Sequence, residues 1–535
     1  MNFNALDKSI ACIIGFYSLF LWFFGVYVTI FNSPDIDMGV FYERFADPNF
    51  LPNDFYTNAI STPNPRFIFG YFIGYLTKIF SCEWYKIYFF IKIFLVIFNP
   101  ILAHQMIVSF FRNQSRDNLT LIKIISAVMI IYLLGDVYKY SVAFWPAIIF
   151  FVSAQTVSFL FGVIAIVILN NHSFQKKYSW LFNFGILFFI ASTFLHPNVG
   201  LIFFIFYVIF NYTINDQIKL KQNLIYFLVI IVLPYLILYF SFTSKISLSA
   251  EKFIEIYVLH KLHFPHYLPS KFGSLTRDSW LVVFLKINFV FAIALLVGIF
   301  KKDFQIIKTA LLSILIFCGS VILQYIGVEL FKIKFIAILG PSRFLILGYW
   351  MAMLCIILLI VNNIKYLKKH KLINNSKTKL LFDKISNLNI RKQKHLFLKT
   401  FAMFFFVNIV LYSITLDDPF AEFDKRSFGL FSWIKNNIEK DAIILTDHYS
   451  LTIPILAKRS SISPGFGFTF NEDFFEELSQ RENLINQMKS LSKEQLQEFS
   501  KKFKFNYVIF FINDQHQLKK EKPVYKNAAF LIYKI

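Results

Sequence analysis

"KYLKKHKLINNSKTKLLFDKISNLNIRKQKH", Lys365 to His395, holds ten Lys or Arg and one acid, Asp383. It sits between two apolar blocks, 343–362 and 397–415. Cationic loops stay on the cytoplasmic side of a membrane, so this run orients the whole chain. The chain of 535 residues is 57% hydrophobic and 16% charged, with mean hydropathy +0.57. A soluble core cannot bury that much apolar surface, and a membrane helix needs about 20 apolar residues. Such blocks recur at 9–31, 84–111, 119–135, 142–170, 180–196, 199–213, 223–243, 280–300, 305–327, 343–362 and 397–415. Eleven spans with a cytoplasmic N-terminus put Arg112/Arg116, Lys176/Lys177, Lys219/Lys221, Lys301/Lys302 and the 365–395 run on one side. The stretch Arg66 to Cys82 is short and interrupted by glycine, and is read as an interfacial or re-entrant helix. As a twelfth crossing it would carry the basic run outside.

The net charge of +22 is thus a topology signal. No soluble basic domain exists to bind nucleic acid. The 71 phenylalanines, with many Ile, Lys and Asn, match codons rich in A and T rather than an aromatic binding function. Cys12, Cys82, Cys318 and Cys355 are too scattered for a disulfide framework or a CxxC metal site. No cleavage site for a signal peptide follows the first apolar block.

Against the basic background, Ser33–Phe55 (SPDIDMGVFYERFADPNFLPNDF) carries Asp35, Asp37, Glu43, Asp47 and Asp54 against one base, Arg44. Ser33-Pro34-Asp35 is a good helix start by itself, and Asp37, Phe41 and Arg44 share a helical face. Asp47-Pro48 and Pro52-Asn53-Asp54 are turn formers. The eleven-span reading places this loop (32–83) outside. The outer loop 244–279 with His260, His263 and His266 joins it, as do His196 after the fifth span and Arg343 before the tenth. Ionisable groups near membrane depth are costly unless they line a cavity or pair, so their gathering on one face points to a site there. Each also has a plain reading: His196-Pro197 as a helix end, Arg343 as a lysine-like snorkel. Pro265 spoils one regular helix for the H-x-x-H-x-x-H spacing, which makes zinc a poor fit. From 417 the pattern turns to helix, strand, helix, strand. Trp433–Ile438, the apolar 442–445, a charged helix over 472–503, and strands at 506–511 and 528–535 make an outer α/β domain, 417–535.

A long first outer loop with early aspartates, many spans and an α/β tail resembles the GT-C superfamily of integral-membrane glycosyltransferases, and most nearly an uncharacterised bacterial branch of it. The likeness lies in an early Asp followed by Asp47-Pro48…Asp54, in Leu195-His196-Pro197, and in His263-Phe264-Pro265-His266-Tyr267-Leu268-Pro269-Ser270. It continues in a late Arg343, Trp433-Ile434…Asn437 and Lys458-Arg459. The histidine pair is contiguous in that branch and split here, which bears on His263 more than on His266. The resemblance implies a bacterial inner (plasma) membrane enzyme of the cell envelope that uses a polyprenyl-phosphate sugar. It makes Asp35 or Asp37 the base on the acceptor or a ligand of a divalent cation (Mg or Mn). Arg44, Asp54, Arg66, His196, His263, His266 and Arg343 would bind substrate. A lipid or polysaccharide transporter, or a non-catalytic assembly scaffold, is the alternative. Transporters place polar residues at the midplane of repeated halves, and neither feature is present here.

Overall fold

The computed structural model describes residues 5–23, 36–58, 66–136, 154–171, 179–215, 225–242, 249, 251, 254, 268–271, 280–369, 425–447, 452–462 and 472–535. The apolar block 397–415, the basic run beyond 369, Asp35, and the histidines at 260, 263 and 266 lie outside these residues.

Helix α1 (Ala5–Phe23) runs antiparallel to α4 (Trp84–Ser109): Gly15 meets Ile97 and Ile101, and Ser18 donates its hydroxyl to the Val96 carbonyl at 2.6 Å. Between them lie α2 (Ile36–Ala46) and α3 (Arg66–Phe80). Then come α5 (Arg116–Asp136), α6 (Ala154–Leu169), α7 (Ser179–Leu195) and α8 (Pro197–Asn215). A π turn (Leu228–Val232) leads into α9 (Leu233–Phe242), followed by α10 (Trp280–Lys301) and α11 (Phe304–Gln324). A second π turn (Tyr325–Leu330), the short α12 (Lys334–Leu339) and a 3₁₀ turn (Pro341–Leu347) lead into α13 (Gly348–Lys369). Among the described residues, six helical stretches are long and apolar enough to cross a membrane, and four shorter apolar helices stand beside them. The protein is polytopic. Its lipid face is visible on α10, where Leu285, Phe289, Leu296 and Phe300 are exposed at helical spacing while Ile287, Phe291 and Ala294 are buried.

One end of the bundle is tied by a polar belt. Lys123 pairs with Asp7 at 2.6 Å, and the Lys123 carbonyl meets His104 Nε2 at 2.9 Å. Asn170 donates to Ser109, and Asn211 donates to Asn170. Gln305 donates to the Ile214 carbonyl, and Asn362 donates to Asp303 Oδ2 at 2.8 Å. Asp303 Oδ1 meanwhile caps α11 through the amides of Gln305 and Ile306. Buried ionic and amide groups are stable only when partnered, and removing one member of a buried pair costs about 3–5 kcal/mol. The belt gathers the starts of α1, α5 and α11 with the ends of α4, α6, α8 and α13. The helices therefore alternate in direction, and the basic connections after 111, 171, 215, 301 and 364 leave from one end.

The chain is at the opposite end both at the close of α1 and at Trp84. Between them α3 is 15 residues long, about 22 Å at the α-helical rise, short of the hydrocarbon core. Its glycines make it a packing helix. A Cβ at Gly74 would lie 2.5 Å from Phe45 Cβ and 3.0 Å from the Tyr42 carbonyl, and Gly70 rests on the Phe45 ring. The other face leaves Tyr71, Tyr75 and Phe80 exposed, the composition of a headgroup-level belt.

After α13, residues 425–535 form a five-stranded sheet in the order β2-β1-β3-β5-β4. Helix α14 (Lys425–Asn437) precedes β1 (Ile443–Leu445). A π turn (Ile453–Ala457) leads to β2 (Ser460–Ser461), and α15 (Glu472–Gln487) and α16 (Lys493–Phe503) lead to β3 (Tyr507–Phe511). Strands β4 (Tyr525–Lys526) and β5 (Phe530–Lys534) close the chain. β1 pairs parallel with β2 and β3, while β5 lies antiparallel to β3 and β4. The single charged helix expected over 472–503 is two helices. Ser492 starts the second with a capping box, its side chain taking the Gln495 amide while the Gln495 side chain takes the Ser492 amide.

Candidate functional site

The bend between α7 and α8 is built by His196-Pro197-Asn198. His196 keeps the α7 ladder, its amide donating to the Ser192 carbonyl, and its own carbonyl receives the amides of Val199 and Gly200. Pro197 stands at the first position of α8, where a missing N–H costs nothing. The bend is close: a Cβ at Gly200 would lie 2.6 Å from the Thr193 Cα and 2.7 Å from its amide nitrogen, so only glycine fits. His196 and Asn198 are both buried. The Tyr235 hydroxyl, just within α9, donates to Asn198 Oδ1 at 2.7 Å. The 3₁₀ turn that carries Arg343 packs against α8, the helix whose first turn holds Asn198.

Arg343 is aimed by the turn that precedes it. Gly340 adopts left-handed backbone (φ +57°) at the end of α12, and Pro341 opens the 3₁₀ turn. The Arg343 amide donates to the Gly340 carbonyl, and its side chain folds over Gly340, with Nε 3.2 Å from where a Cβ would stand. The Ser342 amide, one residue earlier, faces Gln324 Oε1 at 3.4 Å, in a buried setting at the end of α11. Thus the His196 bend, tied to Tyr235 through Asn198, and the turn that carries Arg343 lie together at the end of the bundle away from the polar belt. Asn198, Tyr235 and Gln324 are not among the residues expected from the sequence. Tyr235 lies within an apolar run, "LPYLILYF", that carries no polar signal.

The first loop is drawn to this end. Leu195, beside His196, packs against the apolar cluster that contains Val40, Phe41 and Tyr42 of α2, Trp84 of α4 and Ile455 of the tail. Asp37 stands at the second position of α2 and Arg66 at the first of α3. Asp35, His263 and His266 fall outside the described residues.

Arg44 and Asp54 have other partners. The Arg44 guanidinium donates to the Phe50 carbonyl and, at 2.6 Å, to Asn58 Oδ1, while Asn58 donates to the Pro52 carbonyl. Arg44 thereby closes the 47–58 turn. Asp54 is 2% exposed. Its Oδ1 takes the amide and hydroxyl of Thr57, each at 2.7 Å, and its Oδ2 takes the amide of Ser461 at 3.2 Å. Burial pushes its carboxyl above the usual carboxylate range, against the pull of these donors and of the Arg481 charge. Asp54 thus fastens the first loop to β2 of the tail.

The same junction holds three further contacts. Glu43 pairs with Lys458 at 2.6 Å. Phe55 stacks on Phe474 with ring centroids 4.5 Å apart, and the Arg481 guanidinium lies 4.3 Å over the Phe55 ring. Arg459, adjacent to Lys458, turns elsewhere and donates its guanidinium to the carbonyls of Lys435 and Ile438, capping the end of α14. Among the described residues, no group of three His, Cys, Asp or Glu side chains is placed to hold a metal ion.

No family model matches this chain, and no curated protein matches it. Among solved structures it is similar to the archaeal oligosaccharyltransferase AglB from Archaeoglobus fulgidus, solved in complex with an inhibitory peptide and a dolichol-phosphate. The likeness is at 14% identity and a TM-score of 0.39, covering 95% of this chain and 69% of that one. At this distance the likeness carries across no residue, substrate or reaction.

Proposed function

We propose that this chain is a membrane glycosyltransferase of the GT-C type, moving a sugar from a polyprenyl-phosphate donor to an extracytoplasmic acceptor. The observation that carries the reading is that the His196–Asn198 bend, Tyr235 and the turn bearing Arg343 share the bundle end where the first loop is drawn in. In this reading Asp37, or Asp35 in its place, accepts the proton of the acceptor hydroxyl. The acceptor oxygen attacks the anomeric carbon, the bond from that carbon to the phosphate oxygen breaks, and the electron pair leaves with polyprenyl phosphate. Arg343 faces the charge that develops on the leaving phosphate, a role for which a planar guanidinium is suited. Arg66, His263 and His266 are further groups for the phosphate. Deleting the gene should remove a surface glycan and accumulate its lipid-linked sugar, read by mass spectrometry of extracted lipids. An unchanged donor pool with polymer trapped inside the cell would overturn the transferase in favour of a transporter.

The reading also requires an orientation: eleven spans, N-terminus in the cytoplasm of a bacterial inner membrane, and the 417–535 domain outside. The alternation of the helices about the polar belt supports it, because the basic connections leave from the belt end. Single cysteines in place of Ser376 and of the exposed Lys440 should label from opposite sides of the membrane. Labelling of both from outside would overturn the orientation.

A further inference from the structure

We propose that the tail is a positioning device for the first loop, with Lys458 as the positioning residue that sets the placement of α2 and hence of Asp37. The proposal rests on the glycosyltransferase reading above.

Three points of the loop are held by the tail. At the first, α2 is gripped between α4 and the tail: a Cβ on Gly39 would lie 2.7 Å from Trp84 Cζ2 and 2.9 Å from Ile455 Cδ1. The α2 backbone therefore rests directly on a side chain of the π turn Ile453–Ala457, two residues from Asp37. At the second, about one turn further along α2, Glu43 receives the Lys458 ammonium at 2.6 Å. That ammonium also lies 5.1 Å from the centroid of the Phe50 ring. At the third, Asp54 holds the Ser461 amide while Phe55 is stacked between Phe474 and Arg481.

The backbone of Lys458 is that of a helix stop, as it is at Lys302, Lys332 and Lys504. It is left-handed, φ +53°. A residue with a Cβ gives up about 1–2 kcal/mol there, and glycine would not. What sets Lys458 apart from those three lysines is its reach: the stop after the π turn carries its ammonium to Glu43. The lever is also stiff at its base, since Arg459 is bound to the last carbonyls of α14. Small displacements of a reacting group cost as much as about 10²-fold in rate, so a grip on α2 is a grip on turnover.

The test is Lys458→Gly in the full-length protein. It relieves the strained backbone while removing the ammonium together with its methylene stem, so the cost in folding and the cost in placement of α2 are read separately. Positioning predicts an unfolding temperature equal to or above wild type, faster amide exchange within 36–46, and kcat lowered by up to about 10²-fold with KM for the lipid donor unchanged. The exchanged pair Glu43→Lys with Lys458→Glu should recover both protection and kcat relative to either single change. Wild-type exchange in 36–46 together with wild-type kcat in Lys458→Gly would overturn the proposal, as would an exchanged pair no better than its singles. The exchange measurement needs no turnover. If the wild type itself transfers no sugar, the glycosyltransferase reading fails while loosening of 36–46 still supports the clamp.

Discussion

Asp37→Asn should lower sugar transfer by about 10²–10⁴-fold, the usual worth of a general base, with the protein inserted and folded as wild type. Asparagine keeps the size and the hydrogen-bonding oxygen but cannot take up the acceptor's proton. The competing role is a simple one. Asp37 lies in the first turn of α2, where a carboxylate favours the helix dipole by about 0.3–1 kcal/mol. That role predicts a small loss of stability and full activity. Asp35→Asn gives the same large loss if Asp35 is the base instead. Asp37 is preferred, because Asp35 next to Pro34 already has a sufficient structural role at the helix start. The measurement is initial-rate transfer at matched membrane levels. Full activity in both variants would contradict a carboxylate base in this loop.

Arg343→Lys should cost on the order of 10²-fold in kcat, within the range seen when one donor to a developing anion is lost. The substitution keeps the charge and most of the length, and loses the planar fork that presents two N–H groups to a phosphate. A snorkelling arginine predicts no loss, since lysine snorkels equally well. The turn at Gly340–Ser342 fixes where the side chain starts, so the lysine begins from the same place and only the head group differs.

Much of the scaffold is legible in the sequence because its signals are local. The apolar blocks, the alternation of basic connections and the glycine-interrupted 66–82 stretch each follow from residues within about 20 positions of one another. The break at Ser492 is local too, a Ser-x-x-Gln capping box readable on its own terms but masked by the charged run around it. What escapes is long-range. Asp47-Pro48…Asp54 reads as a turn with a spare carboxylate, and nothing nearby reveals that the carboxylate meets the amide of Ser461. Lys458-Arg459 reads as one basic pair, yet Lys458 crosses to Glu43 while Arg459 caps α14. A hydroxyl such as that of Tyr235, set among apolar neighbours, acquires meaning only when the α7–α8 bend brings Asn198 beside it. Arg44 is a different case: its partners Phe50 and Asn58 are near in sequence, but the fold of the loop sets them there and helical spacing does not reveal them.

The central claim is that this chain breaks the bond between a sugar and a polyprenyl phosphate. It is tested most directly with the purified full-length protein in lipid nanodiscs, given a polyprenyl-phosphate sugar carrying a radiolabel in the lipid and an extract of cell-surface acceptors. The account predicts time-dependent release of free polyprenyl phosphate, lost on Asp37→Asn and Arg343→Lys. Intact donor after prolonged incubation with wild type, across the polyprenyl-phosphate sugars of the organism's own envelope, would contradict it.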